Sequence, residues 1–367
     1  MIRDTHIRWW MPAFFLLLVS FFLGGCADDE QPQVEEGIVF QLSLPGRIDV
    51  TTRTHALSGI TITDVWVVQY NADNGAFLFA KNFTGSAIGE ATNNESIINV
   101  NTSDFSNHQS RFYIIVNAGT DFLTGFNGTE PELKQKTLDI TPGTTYGPTL
   151  LTTGPLAYTP AATGLENAGK VVLVAPLQRT FACVELKWTK TVTFKGTIKV
   201  TGVKAYNLPT KMALYTRGGA DLTGNYPALD ALSVTSVDIG SSELPLGSPC
   251  TFYMGENLRG MGTGTSFAEK NLKGKGPGAD GSLAGCTNLV LAAEYTYPGA
   301  TAPINVEYRI YLGGNLMNDY NIQRGNKYTL TVNISGANSG DVRVTITDGN
   351  VVVFDDVEEI NKEVEFR

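Results

Sequence analysis

Apolar and polar residues alternate with a period of two along most of this chain. That spacing sets one face of a β-strand against a core and the other in water. Ile38, Phe40, Leu42 and Leu44 fall on one face of the first such stretch. DVWVVQY (64–70) is next, NADNG reads as a turn, and FLFAKNF (77–83) returns, which predicts a hairpin. RFYIIVNAG (111–119) is a continuous apolar run, as expected of a strand inside a sandwich. KVVLVAPL and RTFACVELKW open the second half, and GTIKVTGVKAYNL, TNLVLAAEYTY, INVEYRIYLG and NKYTLTVNISG continue it. DVRVTITDGNVVVFDD (341–356) reads as a last hairpin turning at Asp348-Gly349 or Gly349-Asn350. No stretch has the period and caps of a long amphipathic helix; PELKQKTL (131–138) allows one or two turns. The pattern predicts an all-β protein, and 367 residues suit two β-sandwiches in tandem. Residues 141–169, with Pro142, Pro148, Pro155 and Pro160, are the candidate interdomain stretch, unless they form long sandwich loops.

Composition narrows the function. Only 17% of residues are charged and the formal net charge is −9, with no basic block. Such a surface repels phosphates, which argues against a nucleic-acid partner. At the N-terminus, Arg3 and Arg8 precede an apolar run from Trp9 to Leu23 that is short for a membrane span. The run ends in LGGC, a lipobox-like stretch that predicts cleavage before Cys26 and lipidation of its thiol. Acyl chains there would anchor a protein without a transmembrane helix to the outer membrane.

The chemistry of catalysis is missing from the sequence. There are three histidines, and His55 and His108, outside the leader, have no ligand partner at i+2 or i+4. No metal site, cofactor site or catalytic residue is expected. GMGTGT (260–265) does not follow a strand and open a helix, so it reads as a surface loop; Lys270, Lys273 and Lys275 read as its solvated charges. Cys183 sits in an alternating strand as a small hydrophobe. Cys250 and Cys286 lie in loop-like sequence, and a disulfide between them is left open.

FYMGENLRG (252–260) and VEYRIYLGGNLMNDYNIQRGNKYTLTVNISG (306–336) resemble the Bacteroidetes fimbrillins, the major and minor subunits of type V pili. The matching positions are Glu256, Asn257 and Gly260, then Tyr311 to Gly313, Asn318 to Arg324 and Tyr328 to Gly336. TTRTHA (51–56) fits the opening of that family's first domain, and YIIVNAG (113–119) looks like its core strand. ADDE, directly after Cys26, looks like the surface-export tag of lipoproteins in the same group. The resemblance implies two transthyretin-like β-sandwiches. Their boundaries would be a signal over 1–25, a propeptide over 26–53, sandwiches over 54–175 and 176–336, and a hairpin or donor-strand extension over 337–367.

It also implies a maturation route. A lipidated precursor would be cut by a trypsin-like, arginine-specific protease after Arg53, or after Arg47. The strand carrying Ile38, Phe40, Leu42 and Leu44 would leave, and another subunit's strand would fill the groove. Ile360, Val364 and Phe366 repeat the alternation of that strand, with Lys362 the only polar interruption, and form the candidate donor; the rival reading makes the whole tail part of the second sandwich. The implied partners are other fimbrial subunits, identical or paralogous, and the implied function is structural and adhesive, not enzymatic. The alternative is a non-polymerising surface module that binds glycan or host protein, which would need exposed aromatics on one face. Trp66 and Trp188 sit instead in apolar strands. An extracellular hydrolase is the third reading, weakened by the absent catalytic groups.

Overall fold

The computed structural model describes residues 37–43, 61–90, 95–101, 105–140, 150–160, 171–192, 194–215, 234–240, 242–336 and 344–353. The first half holds β1 (Gly37–Ser43), β2 (Asp64–Asn71), β3 (Phe77–Thr84), β4 (Ile88–Glu90) and β5 (Glu95–Asn101). It continues with β6 (Ser110–Val116), β7 (Thr137–Asp139), β8 (Leu151–Tyr158), β9 (Val171–Pro176) and β10 (Gln178–Arg179). One sheet has the order β4-β5-β1-β9 and the other β10-β8-β6-β2-β3. They pack face to face because alternate residues of each are apolar: Ile38, Phe40, Leu42, Ile98 and Val100 meet Val65, Val67, Phe112, Ile114 and Val116. The predicted hairpin of β2 and β3 is present.

β2 and β6 lie inside their sheet and are buried on both faces, which is why RFYIIV is continuously apolar rather than alternating. Their second face, Trp66, Val68, Tyr70, Tyr113 and Ile115, joins a third apolar cluster described below.

The second half holds β11 (Phe181–Lys190), β12 (Thr197–Pro209), β13 (Lys211–Ala213), β14 (Val234–Gly240) and β15 (Cys250–Gly255). β16 (Asn288–Thr296), β17 (Ile304–Tyr311), β18 (Asn326–Ile334) and β19 (Val344–Val353) complete it. The sheets β15-β11-β18-β19 and β14-β12-β16-β17 enclose a second core that includes Val184, Leu186, Trp188, Leu291, Tyr308 and Val332. The protein is all-β, as the alternation predicts.

The third cluster fastens the two sandwiches together. Phe181, Met212, Leu214 and Tyr215 of the second half pack on Trp66, Tyr70 and Tyr113. β7 pairs with β13 across the junction, and the Tyr215 hydroxyl donates to the carbonyl of Ile114 at 3.1 Å.

Three expectations need correction. Residues 141–169 are not a linker throughout: β8 lies within them, and it pairs with β6 on one side and β10 on the other. The junction falls later, because Leu177 belongs to the first core, β10 still pairs with β8, and β11 opens at Phe181. The Asp-Gly hairpin does not form either. β19 runs straight through Asp348 and Gly349 along β18, and a bulge between the pairs Thr331–Asp348 and Val332–Ile346 absorbs one residue. A long neighbouring strand supplies more backbone bonds than a local turn, so pairing overrides the turn signal. β19 is therefore part of the second sandwich, not of an extension starting at 337.

One short helix covers the outer face of β6. α1 (Glu130–Gln135) is capped by Thr129 and Glu132 bonding reciprocally, and it buries Leu133. Its Glu130 accepts from Arg111 Nη2 at 2.8 Å and Lys134 Nζ at 2.8 Å, and from the Tyr113 hydroxyl. Burial works against the carboxylate, but the bonds from Lys134, Tyr113 and Arg111 prevail and hold its pKa at about 2. A pKa lowered by folding contributes stability above its unfolded value and loses it as pH falls through the folded value. Glu130→Gln should therefore cost about 1.5–3 kcal/mol at neutral pH, the range for hydrogen bonds to a charged group. The gap from the parent protein should close between about pH 4.5 and about pH 2. Urea titrations across that window would show it, and a gap independent of pH would contradict it.

Candidate functional site

β1 occupies an unusual place for the first described strand. It lies inside its sheet, antiparallel to β5 and parallel to β9. Phe40 stands opposite Ile98 on one side and Leu173 on the other, and its ring meets that of Phe112 edge-on at 5.1 Å. Ile38, Phe40 and Leu42 have no exposed surface. The next strand in sequence, β2, lies in the opposite sheet, so β1 is not held by a hairpin to its successor. Withdrawing it would leave β5 and β9 about 10 Å apart, two strand spacings, with both facing edges unpaired. Cys26, Leu44, Arg47, Arg53, Ile360, Val364 and Phe366 lie outside the described residues.

Two of the stretches that carry the family resemblance, around Glu256 and around Arg324, meet near the junction. Arg324 Nη2 pairs with Glu256 Oε1 at 3.0 Å, and the Arg324 backbone N–H donates to Glu256 Oε2 at 3.1 Å. Both side chains are more than nine-tenths buried. Arg324 Nη1 donates to the carbonyl of Leu214 at 2.7 Å, and that carbonyl also accepts from Thr152 Oγ1 of the first sandwich at 3.0 Å. Asn257 Nδ2 donates to the Gly285 carbonyl and to Thr287 Oγ1, while Asn321 Oδ1 receives the Gly260 N–H. Gly313 has φ +156, and a Cβ there would lie 1.7 Å from the Asp319 carbonyl oxygen, so only glycine fits. These residues are a clamp that holds loops and sandwiches together, not a reactive centre.

The glycine-rich loop is built around a buried cation rather than a solvated one. Lys270, at the end of α2 (Phe267–Lys270), has no exposed surface. It donates to the Asn315 carbonyl at 2.6 Å and lies 5.2 Å from the centre of the Tyr320 ring. Burial pushes its ammonium down to about 8. Nothing in SFAEK distinguishes this lysine from Lys273 or Lys275 in sequence, so its role was not legible there.

The disulfide left open between Cys250 and Cys286 does not form: Cys183, Cys250 and Cys286 are all free, buried thiols. The Cys250 thiol donates to the Ile239 carbonyl inside the second sandwich, whereas Cys286 is packed in the loop cluster near Arg259 and Lys270. Burial raises the Cys286 thiol to about 12 and that of Cys183 to about 11, which leaves both unreactive. Trp66 and Trp188 are buried, and their indole N–H groups donate to the carbonyls of Gly119 and Leu244. His108 is exposed and bonded to Ser106 Oγ at 2.8 Å. Among the described residues, no three His, Cys, Asp or Glu side chains gather in a way that could hold a metal ion. No helix there is long and apolar enough to cross a membrane.

Residues 252–332 match a family described as a domain of unknown function, DUF4906, and this span contains both Glu256 and Arg324. No curated protein matches the chain. Several solved structures share its fold. A protein from Parabacteroides distasonis ascribed to cell adhesion is 15% identical, with a TM-score of 0.57, over 89% of this chain and 99% of its own. The fimbrilin FimA of Porphyromonas gingivalis is 11% identical, with a TM-score of 0.51, over 87% and 96%. The tip fimbrial protein Mfa3 of Porphyromonas gingivalis, truncated at its C-terminus, is 10% identical, with a TM-score of 0.50, over 86% and 99%. At such identities the likeness is one of fold, which agrees with the resemblance read from the sequence.

Proposed function

We propose that this protein is a structural subunit of a cell-surface fimbrium, made as a lipoprotein precursor and assembled by exchange of β1. Acylated Cys26 carries the precursor to the outer membrane surface. An arginine-specific protease cuts after Arg53, or after Arg47, and releases β1. A strand from a neighbouring subunit then enters between β5 and β9. The observation that carries this reading is the position of β1, an interior strand whose Ile38, Phe40 and Leu42 are fully buried and which has no hairpin to its successor. Such a strand can leave without dragging another, and its loss exposes a groove that only a similar strand fills. The tail with Ile360, Val364 and Phe366 is the candidate donor, because β19 is already paired along β18 in its own sandwich.

Mass spectrometry of filaments from the cell surface should find a mature N-terminus at Thr54, or at Ile48 if Arg47 is cut. Arg53→Ala combined with Arg47→Ala should leave an unpolymerised, lipid-anchored precursor. Filaments whose subunits still begin at Cys26 would end this reading. Trypsin treatment of the purified precursor that yields only soluble monomers would favour the non-polymerising surface module.

A further inference from the structure

We propose that the free edge of β9 is a self-association site, where a second copy of this chain adds its own β9 in antiparallel pairing. This goes beyond the exchange of β1, because β9 and its edge are present in the precursor.

The protein supplies its own control for that edge. The two sandwiches repeat one arrangement: β11 lies antiparallel to β15 and parallel to β18, as β1 lies to β5 and β9. In the second sandwich the outer edge of β18 is covered by β19. In the first, no described strand covers β9.

The outer faces differ in the same sense. Outside the second core, Glu185 and Lys327 form an ion pair at 3.2 Å, with Thr329 opposite Glu185. At the corresponding place outside the first core, Val172 and Val174 are 55% and 58% exposed, opposite Val39 and Gln41 of β1. Val171–Pro176 contains no charged residue.

Several other edges among the described strands are guarded. β17 carries Glu307 and Arg309, β3 carries Lys81, and β4 and β10 are three and two residues long. Tyr253 of β15 packs on Phe181 at 5.4 Å. β9 therefore combines a backbone edge that no described strand covers with an uncharged, apolar outer face.

A second copy fits because the strand is self-complementary. Antiparallel pairing centred on Leu173 sets Val172 of one copy opposite Val174 of the other, and Val171 opposite Ala175. The four valines then form one patch on the outer face, the other side of the strand continues the two cores, and two four-stranded sheets become one. The contact is isologous, so it closes as a two-fold dimer. It is also small against the roughly 1,600 Å² of a standard interface, so association should be weak and concentration-dependent. With no charge on the strand, it should be almost insensitive to salt.

The test uses the full chain with Cys26→Ser, which removes any contribution from an acyl chain. Sedimentation equilibrium should show a monomer passing to a dimer as concentration rises, at low and high salt alike. Val172→Lys with Val174→Lys should keep the melting temperature and weaken association roughly tenfold or more, since like charges then face each other across the pairing. Under mild oxidation, a mixture of Val172→Cys chains and Val174→Cys chains should give a covalent dimer, while each variant alone should not. A monomer at every concentration, or a lysine variant that associates as well as the parent, would overturn the proposal. Cross-linking by either cysteine variant alone would overturn the register.

Discussion

A chain that begins at Thr54 and so lacks β1 is expected to melt far below the full-length protein, and to recover when a peptide of residues 37–44 is supplied. The loss is set by burial. Ile38, Phe40 and Leu42 have no exposed surface, and their neighbours Ile98, Phe112 and Ala175 would lose the contacts that cover them. At about 1.5–3 kcal/mol for each fully buried apolar side chain, three such residues contribute roughly 5–9 kcal/mol. That is comparable to the whole stability of an ordinary domain, so a fall of roughly 20 °C or more is expected. Backbone bonds add to it, because β1 pairs on both edges. Calorimetry of both chains, with and without the peptide, measures this directly. A truncated chain that melts with the full-length protein would show that β1 does not hold the first sandwich together. A second peptide with Phe40→Asp should fail to rescue, since it would bury an unpaired carboxylate beside Phe112.

Arg324→Ala is the second large effect, expected at about 3–5 kcal/mol of lost stability. The cost comes from the partner left behind. Glu256 is buried and would lose the guanidinium that pairs with it, and the Leu214 carbonyl would lose one of its two side-chain donors. The double change Arg324→Met with Glu256→Gln should cost clearly less than Arg324→Ala alone, because it removes both charges and keeps the volume. The clamp reaches the junction, so the variant should also loosen residues 210–215. Amide exchange at Leu214, which donates to Lys136 across the junction, and at Ile140, which donates to Thr210, should quicken more than exchange inside β12. A change below about 1 kcal/mol would mean that solvent reaches the pair and screens it.

The sequence was read correctly wherever one short-range pattern decided the outcome. The period of two in β1, the hairpin of β2 and β3, and the unbroken apolar run of β6 each follow from whether one or both faces of a strand are covered. The resemblance carried by residues 252–336 was also visible, because glycines and paired polar groups at fixed spacing are needed wherever loops cross closely, as at Gly313. Misreadings arose where a distant partner outweighed a local signal. Asp348-Gly349 looks like a turn, but β18 offers a full ladder and β19 runs straight through it. The prolines of 141–169 look like a linker, but β6 and β10 recruit β8 from among them.

Tertiary structure alone decided three things: that Lys270 is buried, that Cys250 and Cys286 stay apart, and that no described strand covers β9 where β19 covers β18. Alternation along a chain states which face of a strand is covered. Which strand stands beside it, and whether any does, depends on backbone bonds between residues far apart in sequence, and side-chain pattern alone does not encode those.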